Sequence, residues 1–159
     1  MKISISIDEA LHHNALKETG FWGRRAAGCL FLAKNTNRLL IAHRSDKVLE
    51  PNTYGTWGGA LDGTETPLQG VMREVQEETE FYGDVDYVKL SVFKHDSGFE
   101  YHNFLAVVDQ EFEPQLNWET QGFKWVLLGH WPNPLHPGLY TLLNQSSNID
   151  IMRKHMVRV

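Results

Sequence analysis

The sequence carries one cysteine among 159 residues, so no disulfide can form within the chain. That cysteine, Cys29, sits inside the apolar run 26–33, where the expected role is a small buried side chain rather than a reactive thiol. Positive charge is also scarce. Lys and Arg number 15 against 20 Asp and Glu, a formal net charge of -5, which argues against a broad grip on a nucleic-acid backbone. No stable nucleic-acid binding is therefore expected. A small phosphorylated substrate stays open, because a bound divalent cation can supply the charge the protein lacks. Long apolar runs are missing: Ala26 to Ala33 and Phe104 to Val108 fall far short of the ~20 residues that span a bilayer. Met1-Lys2-Ile3-Ser4 does not open an apolar signal segment, so the expectation is a soluble, cytoplasmic protein without membrane association. There is no internal repeat and no low-complexity tract to mark an array or a linker. With 42% hydrophobic residues, a chain of this length is expected to form one compact domain over residues 1–159, as a monomer or homodimer.

What is present is a recognisable order of elements. Ile3, Ile5 and Ile7 alternate with polar residues as a half-buried strand does, and a short helix through Lys17 can follow before Gly20 and Gly23. Arg25 to Ala33 and Arg38 to His43 read as strands joined by Lys34-Asn35-Thr36-Asn37, which is hairpin turn chemistry. A loop is expected from Pro51 to Gly59, and then the strongest helix signal in the chain, Thr66 to Glu80. Thr66 can cap that helix, Pro67 suits its first position and Gln69 completes a capping box. Val85 to His95, Phe99 to Val108 and Lys124 to Leu128 read as further strands, and Gly138 to Gln145 as a short C-terminal helix. Hairpin-like connections favour a mixed sheet flanked by helices, an α/β class, over a doubly wound parallel sheet.

The helix bears the chemistry. At about 100° per residue, Leu68, Val71, Met72, Val75 and Thr79 form one stripe for the sheet to cover, and Glu74, Glu77 and Glu78 share a neighbouring arc. Carboxylates so close repel one another, whereas a hard divalent cation such as Mg²⁺ binds to just such oxygens and keeps waters or phosphates as its other ligands. Gly70 lies on this face one turn earlier and leaves room for a phosphate, while Arg73 is placed to pair with Glu77. The helix by itself leaves a second reading open, that of an ordinary solvated acidic face. Just ahead of it, Thr56-Trp57-Gly58-Gly59 lets backbone approach a ligand closely and a carbonyl face a metal.

Gly59, Glu65 and the run Arg73-Glu74-Val75-Gln76-Glu77-Glu78-Thr79-Glu80-Phe81, taken with their spacing, resemble the signature of the Nudix (MutT-type) hydrolases. One position departs: Glu80 stands where the family has a glycine that ends the helix in a left-handed conformation. A glutamate there costs about 1–2 kcal/mol, so the helix either tolerates the strain or runs on to Gly83. The resemblance implies an α/β/α sandwich around a mixed sheet and a Mg²⁺-dependent pyrophosphohydrolase in which Mn²⁺ can substitute. It implies Glu74 and Glu78 as metal ligands, Glu77 as a ligand or the base that activates water, and the Gly59 carbonyl facing the metal. Arg73 and Glu65 become orienting residues, and Glu119, ahead of a late strand, a further acidic ligand.

The implied substrate is a nucleoside diphosphate linked to a further group X. The short chain and the approach Tyr54-Gly55-Thr56-Trp57-Gly58-Gly59 are similar to small family members that take ADP-ribose or dinucleotides. Nucleoside triphosphates are the alternative, and a non-catalytic nucleotide-binding module is a third reading. Tyr54, Trp57, Phe99 and Tyr101 are candidates to stack on a base, though such residues more often serve as core or rim packing, and Arg44 and Lys47 are candidates to meet phosphates, though such residues more often serve as solvated surface charges. The eight histidines form no i,i+4 ligand pair and read as structural or surface residues. His102 is singled out among them because its strand often faces substrate in this fold.

Overall fold

The computed structural model describes residues 25–158, so the expected strand at Ile3, Ile5 and Ile7, the helix to Lys17, and His12 and His13 lie outside the described residues. Arg25–Ala33 forms β1 and Arg38–Arg44 forms β2. The turn between them places Asn37 at φ 58°, a conformation that asparagine tolerates, with its N–H on the Ala33 carbonyl at 2.8 Å. Two short strands, β3 (Tyr54–Gly55) and β4 (Trp57–Ala60), occupy part of the stretch expected to be loop. After α1 (Pro67–Thr79) come β5 (Asp86–Lys94), β6 (Glu100–Val108) and β7 (Thr120–Val126). The described chain closes with α2 (Pro137–Leu143) and α3 (Ser146–His155).

The sheet is mixed. β1 runs parallel to β6 along its whole length, and the other pairings are antiparallel. β1 and β2 pair only where Phe31–Ala33 meets Arg38–Leu40. Beyond that point they part: β4 takes up Ala26 to Cys29 of β1, and β3 takes up Ala42 and His43 of β2. Gly58 stands opposite Gly28 in this pairing, and a Cβ on Gly58 would lie 2.1 Å from the Ala27 carbonyl oxygen. Only glycine permits that approach.

β1 is buried on both faces, which is why it reads as a continuous apolar run. Ala27, Cys29 and Phe31 pack with Val71 and Val75 of α1, whereas Leu30 and Leu32 pack with Leu139 and Leu142 of α2 and Met152 of α3. The result is an α/β/α sandwich with one helical layer on each face. Each fully buried Leu or Phe in it contributes about 1.5–3 kcal/mol relative to exposure.

The two ends of α1 are set differently. Thr66 Oγ1 accepts the Gln69 N–H at 3.1 Å and Gln69 Oε1 accepts the Thr66 N–H at 2.9 Å, the expected reciprocal cap. At the other end Glu80 adopts φ 55°, ψ 27°, its N–H on the Gln76 carbonyl, so the helix stops at Thr79 and does not continue to Gly83. The apolar stripe needs correction: Leu68 and Met72 are 43% and 45% exposed. The buried face is turned toward Gly70, Glu74 and Glu78 as well as Val71, Val75 and Thr79, because β4 and Leu61 cover that flank in addition to the sheet. None of the helices among the described residues is long and apolar enough to cross a membrane.

Candidate active site

Arg73 organises the residues in front of α1. Its Nε and Nη2 meet Glu65 Oε2 and Oε1 at 2.9 and 3.0 Å, Nη2 also donates to the Ala60 carbonyl at 3.0 Å, and Nη1 donates to Glu74 Oε1 at 3.0 Å and Glu77 Oε2 at 3.1 Å. All five N–H donors of a guanidinium are thereby engaged. Asp62 adds a further carboxylate 3.3 Å from Nε, a partner that sequence spacing did not single out. The Glu65 carboxyl lies below its ordinary pKa because of its hydrogen bonds from Arg73, and it also accepts the Asp62 N–H at 2.9 Å. The expected Arg73–Glu77 pair is therefore present, but the two-point grip is on Glu65.

Glu74 and Glu78 are buried, 8% and 3% exposed. Burial pushes the Glu74 carboxyl up to about 8, with Glu119 and Glu77 adding repulsion that Arg73 partly offsets. Glu78 is pushed well above the ordinary carboxylate range, first by burial and then by the charges of Glu119 and Glu74. The Gly58 N–H, at 3.3 Å from Glu78 Oε1, opposes this only weakly. The structure thus brings Glu74, Glu78 and Glu119 together, while Glu77 stands at the rim with its side chain 54% exposed.

Two glycines shape the carboxylate cluster. A Cβ on Gly59 would sit 2.8 Å from Glu74 Oε1, so glycine lets the carboxylate rest against the β4 backbone. Gly70 has a different cause from the expected one: a Cβ there would lie 2.0 Å from Leu61 Cδ2, so it seats Leu61 rather than clearing a path for phosphate. The cluster suits a hard divalent cation, since buried carboxylates that repel one another in the protein alone become ligands when such an ion is present. No three His, Cys, Asp or Glu side chains among the described residues close into a ready-made cage. An ion that keeps waters and takes phosphate oxygens does not need one.

Beside the cluster, a cavity of about 280 Å³ opens between β6, the β3–β4 joint and the start of α2. Of the candidate binding residues, Arg44, Phe99 and Tyr101 line it. Arg44 is buried, with its guanidinium on the Leu49 carbonyl, and burial lowers its pKa against the pull of Tyr101, Glu78 and Glu119. Tyr101 shares a 2.7 Å hydrogen bond with Thr56. Trp57 is a correction: it is fully buried, donates to the Leu40 carbonyl and packs edge-on against Phe31, so it has no free face for a base. Tyr54 is another, being 8% exposed, stacked on His43 at 4.3 Å and covered by Lys124. His102 also does not reach the cavity. Alternation along β6 puts Tyr101 and Asn103 on the cavity side, and His102 pairs instead with Glu100 at 3.1 Å. Lys47 is exposed and is not among the lining residues. Cys29 is buried as expected, its thiol raised by that burial and by Glu78.

Several lining residues escaped the sequence reading, among them Asn103 and His136. His136 was grouped with the structural histidines. Its position just before Pro137 at a helix start was the available signal, for it caps α2 by accepting the Gly138 N–H at Nδ1, 2.9 Å. Asn103 lies in a run of apolar strand residues and gave no signal of its own.

The NUDIX domain model matches residues 22–145 of this chain. A Mycobacterium tuberculosis protein named 8-oxo-dGTP diphosphatase 3 is 31% identical over 129 residues, covering 74% of this chain and 59% of the relative, so the chain spans only part of that protein's length. A Haemophilus influenzae dihydroneopterin triphosphate diphosphatase is 29% identical over 113 residues, 58% of this chain and 67% of the relative. Among solved structures, a hydrolase from M. smegmatis superposes with a TM-score of 0.69 at 23% identity, covering 87% of this chain and 92% of that one.

Proposed function

Because this chain belongs to the Nudix family, we propose that it is a Mg²⁺-dependent pyrophosphohydrolase that cleaves the phosphoanhydride of a nucleoside diphosphate linked to a group X, with Mn²⁺ able to replace Mg²⁺. The observation that carries this reading is the buried pair Glu74 and Glu78 with Glu119 beside it, carboxylates that burial and mutual repulsion push toward the protonated form and that a divalent cation would hold as anions. When bound, the ion neutralises charge on the phosphate oxygens and lowers the pKa of water. Glu74, Glu78 and Glu119 would hold it, joined by the Gly59 carbonyl. Glu77, at the solvent rim with one oxygen on Arg73, takes the proton of the attacking water. Arg73 and Glu65 position Glu74 and Glu77 through the hydrogen bonds described above. No protein nucleophile is required, since water attacks phosphorus and electrostatics supplies most of the rate.

The identity of X is better supported on the triphosphate side than on the ADP-ribose or dinucleotide side. The two relatives are named for 8-oxo-dGTP and dihydroneopterin triphosphate, compounds that share a fused 2-aminopyrimidin-4-one ring and a triphosphate. The cavity of about 280 Å³ stands at the small end of ligand pockets, ~300 Å³ and upward, which suits one ring system better than the two halves of a dinucleotide. The test is incubation with Mg²⁺ or Mn²⁺ and a panel of nucleoside triphosphates, 8-oxo-dGTP, dihydroneopterin triphosphate, ADP-ribose and diadenosine polyphosphates, products being identified by mass. Turnover that needs both metal and Glu78, judged against Glu78→Gln, supports the proposal. Binding without turnover across the panel would replace it with a nucleotide-binding module.

A further inference from the structure

The cavity beside the carboxylates contains an oriented donor and an oriented acceptor that the phosphate chemistry does not use. His136 is held from three directions. Its N–H donates to the Tyr54 carbonyl at 2.8 Å, its carbonyl accepts the Tyr140 N–H at 2.9 Å, and the ring accepts the Gly138 N–H at Nδ1. An Nδ1 that accepts fixes the neutral tautomer with its proton on Nε2, and among the described residues Nε2 has no acceptor. Burial, reinforced by the charge of Arg44, pushes the ring down to about 4, so it is neutral near pH 7 and Nε2 is a fixed donor. Asn103 is 7% exposed. Its Nδ2 donates to the Ser91 carbonyl at 3.0 Å, which turns Oδ1 the other way, and among the described residues nothing donates to that oxygen. Phe93 and Phe99, ring centroids 6.4 Å apart, give the same cavity apolar walls. Buried polar atoms left without partners are costly, and a donor and an acceptor facing one apolar cavity match a heteroaromatic ring with polar edges.

We infer that this cavity is a ring-reading subsite in which His136 Nε2 donates to the oxo group, and Asn103 Oδ1 accepts from the ring N–H, of an oxopurine or pterin. The inference rests on the proposed function for the class of ligand, and it makes His136 and Asn103 determinants of specificity. Arg44, in the same cavity and electrostatically coupled to Glu78 and Glu119, faces the phosphate end of the ligand. An adenine ring presents an amino group where the oxo group would be, and so meets His136 donor to donor.

The test compares dGTP with dATP as substrates and dGMP with dAMP as ligands, in the wild type, His136→Asn and Asn103→Ala. Asparagine keeps a side-chain oxygen for the Gly138 N–H and removes Nε2, so α2 stays capped. The wild type is expected to favour the guanine compounds roughly 10-fold or more, a preference that buried hydrogen-bonding groups support. Each variant is expected to lose most of that preference through a raised KM with kcat little changed. A merely structural role would lower thermal stability and depress both substrates alike. An unchanged guanine-to-adenine ratio in both variants, or no preference in the wild type, overturns the inference. Because dGMP binding needs no turnover, a chain that binds guanine through His136 yet cleaves nothing would sink the hydrolase proposal and leave this one standing.

Discussion

Arg73 grips Glu65 at two points, Nε to Oε2 at 2.9 Å and Nη2 to Oε1 at 3.0 Å, while its remaining nitrogen holds the adjacent Glu74 and, one turn on, Glu77. A planar fork is required for that division of labour, and lysine cannot reproduce it. Arg73→Lys is expected to lower kcat roughly 10–100-fold, as loss of an outer partner of a metal ligand does, with a smaller change in KM. Steady-state kinetics on any substrate from the panel checks it, and a variant within twofold of wild type would show that Glu74 and Glu77 need no such support.

Glu78→Gln is expected to do more damage to activity than Arg73→Lys, beyond the ~100-fold upper end for an orienting residue, and to abolish the rise in melting temperature on adding Mg²⁺. In the absence of metal the same variant should be at least as stable as wild type, because a neutral amide needs no proton to escape the burial and the repulsion from Glu119 and Glu74 that raise the Glu78 carboxyl. Calorimetry with and without Mg²⁺ separates the two effects.

The metal-free protein is expected to lose stability as pH rises. Burial raises the Glu74 carboxyl to about 8 in the folded state, against ~4.3 for an unperturbed glutamate. Between those values the folded form binds more protons than the unfolded form, so unfolding free energy falls with increasing pH. The raised Glu78 acts in the same direction. Melting temperatures in chelator from pH 5 to pH 8 should decline, and saturating Mg²⁺ should flatten the slope. A rising or level profile in chelator would contradict the burial-driven shift.

Glu80→Gly places at the helix end the residue that accepts φ 55° without a Cβ penalty. Relief of strain outweighs the added freedom of the unfolded chain, and the expected gain is about 0.5–1 kcal/mol. Chemical denaturation measures it, and kcat should be unchanged because Glu80 lies outside the carboxylate cluster.

Legibility followed the physics of each element. The start of α1 could be read because Thr66, Pro67 and Gln69 act locally, and the carboxylates could be read because helical spacing alone brings Glu74 and Glu78 together. β4 was hidden because Trp57-Gly58-Gly59-Ala60 has two glycines and no alternation, and it becomes a strand only where β1 leaves β2 and needs another partner. α3 was hidden because its polar sequence buries little beyond Asn148 and Met152. Trp57 and Tyr54 misled for a related reason: aromatic residues beside a glycine pair look available for stacking, and only the tertiary packing shows both already in contact with other rings. The cavity beside the carboxylates was illegible, since Asn103 and His136 come from distant segments that only the fold joins.

The parting of β1 from β2 sets a length scale. Thr56, bonded to Tyr101 at the cavity, and Gly58, bonded to Glu78 at the carboxylates, are two residues apart, at most ~7 Å along the chain. On the function proposed above, that backbone interval would work as a ruler: a ligand seated at one end would have its scissile bond measured out to the other, the number of atoms between ring and cleavage point being chosen by the sheet itself.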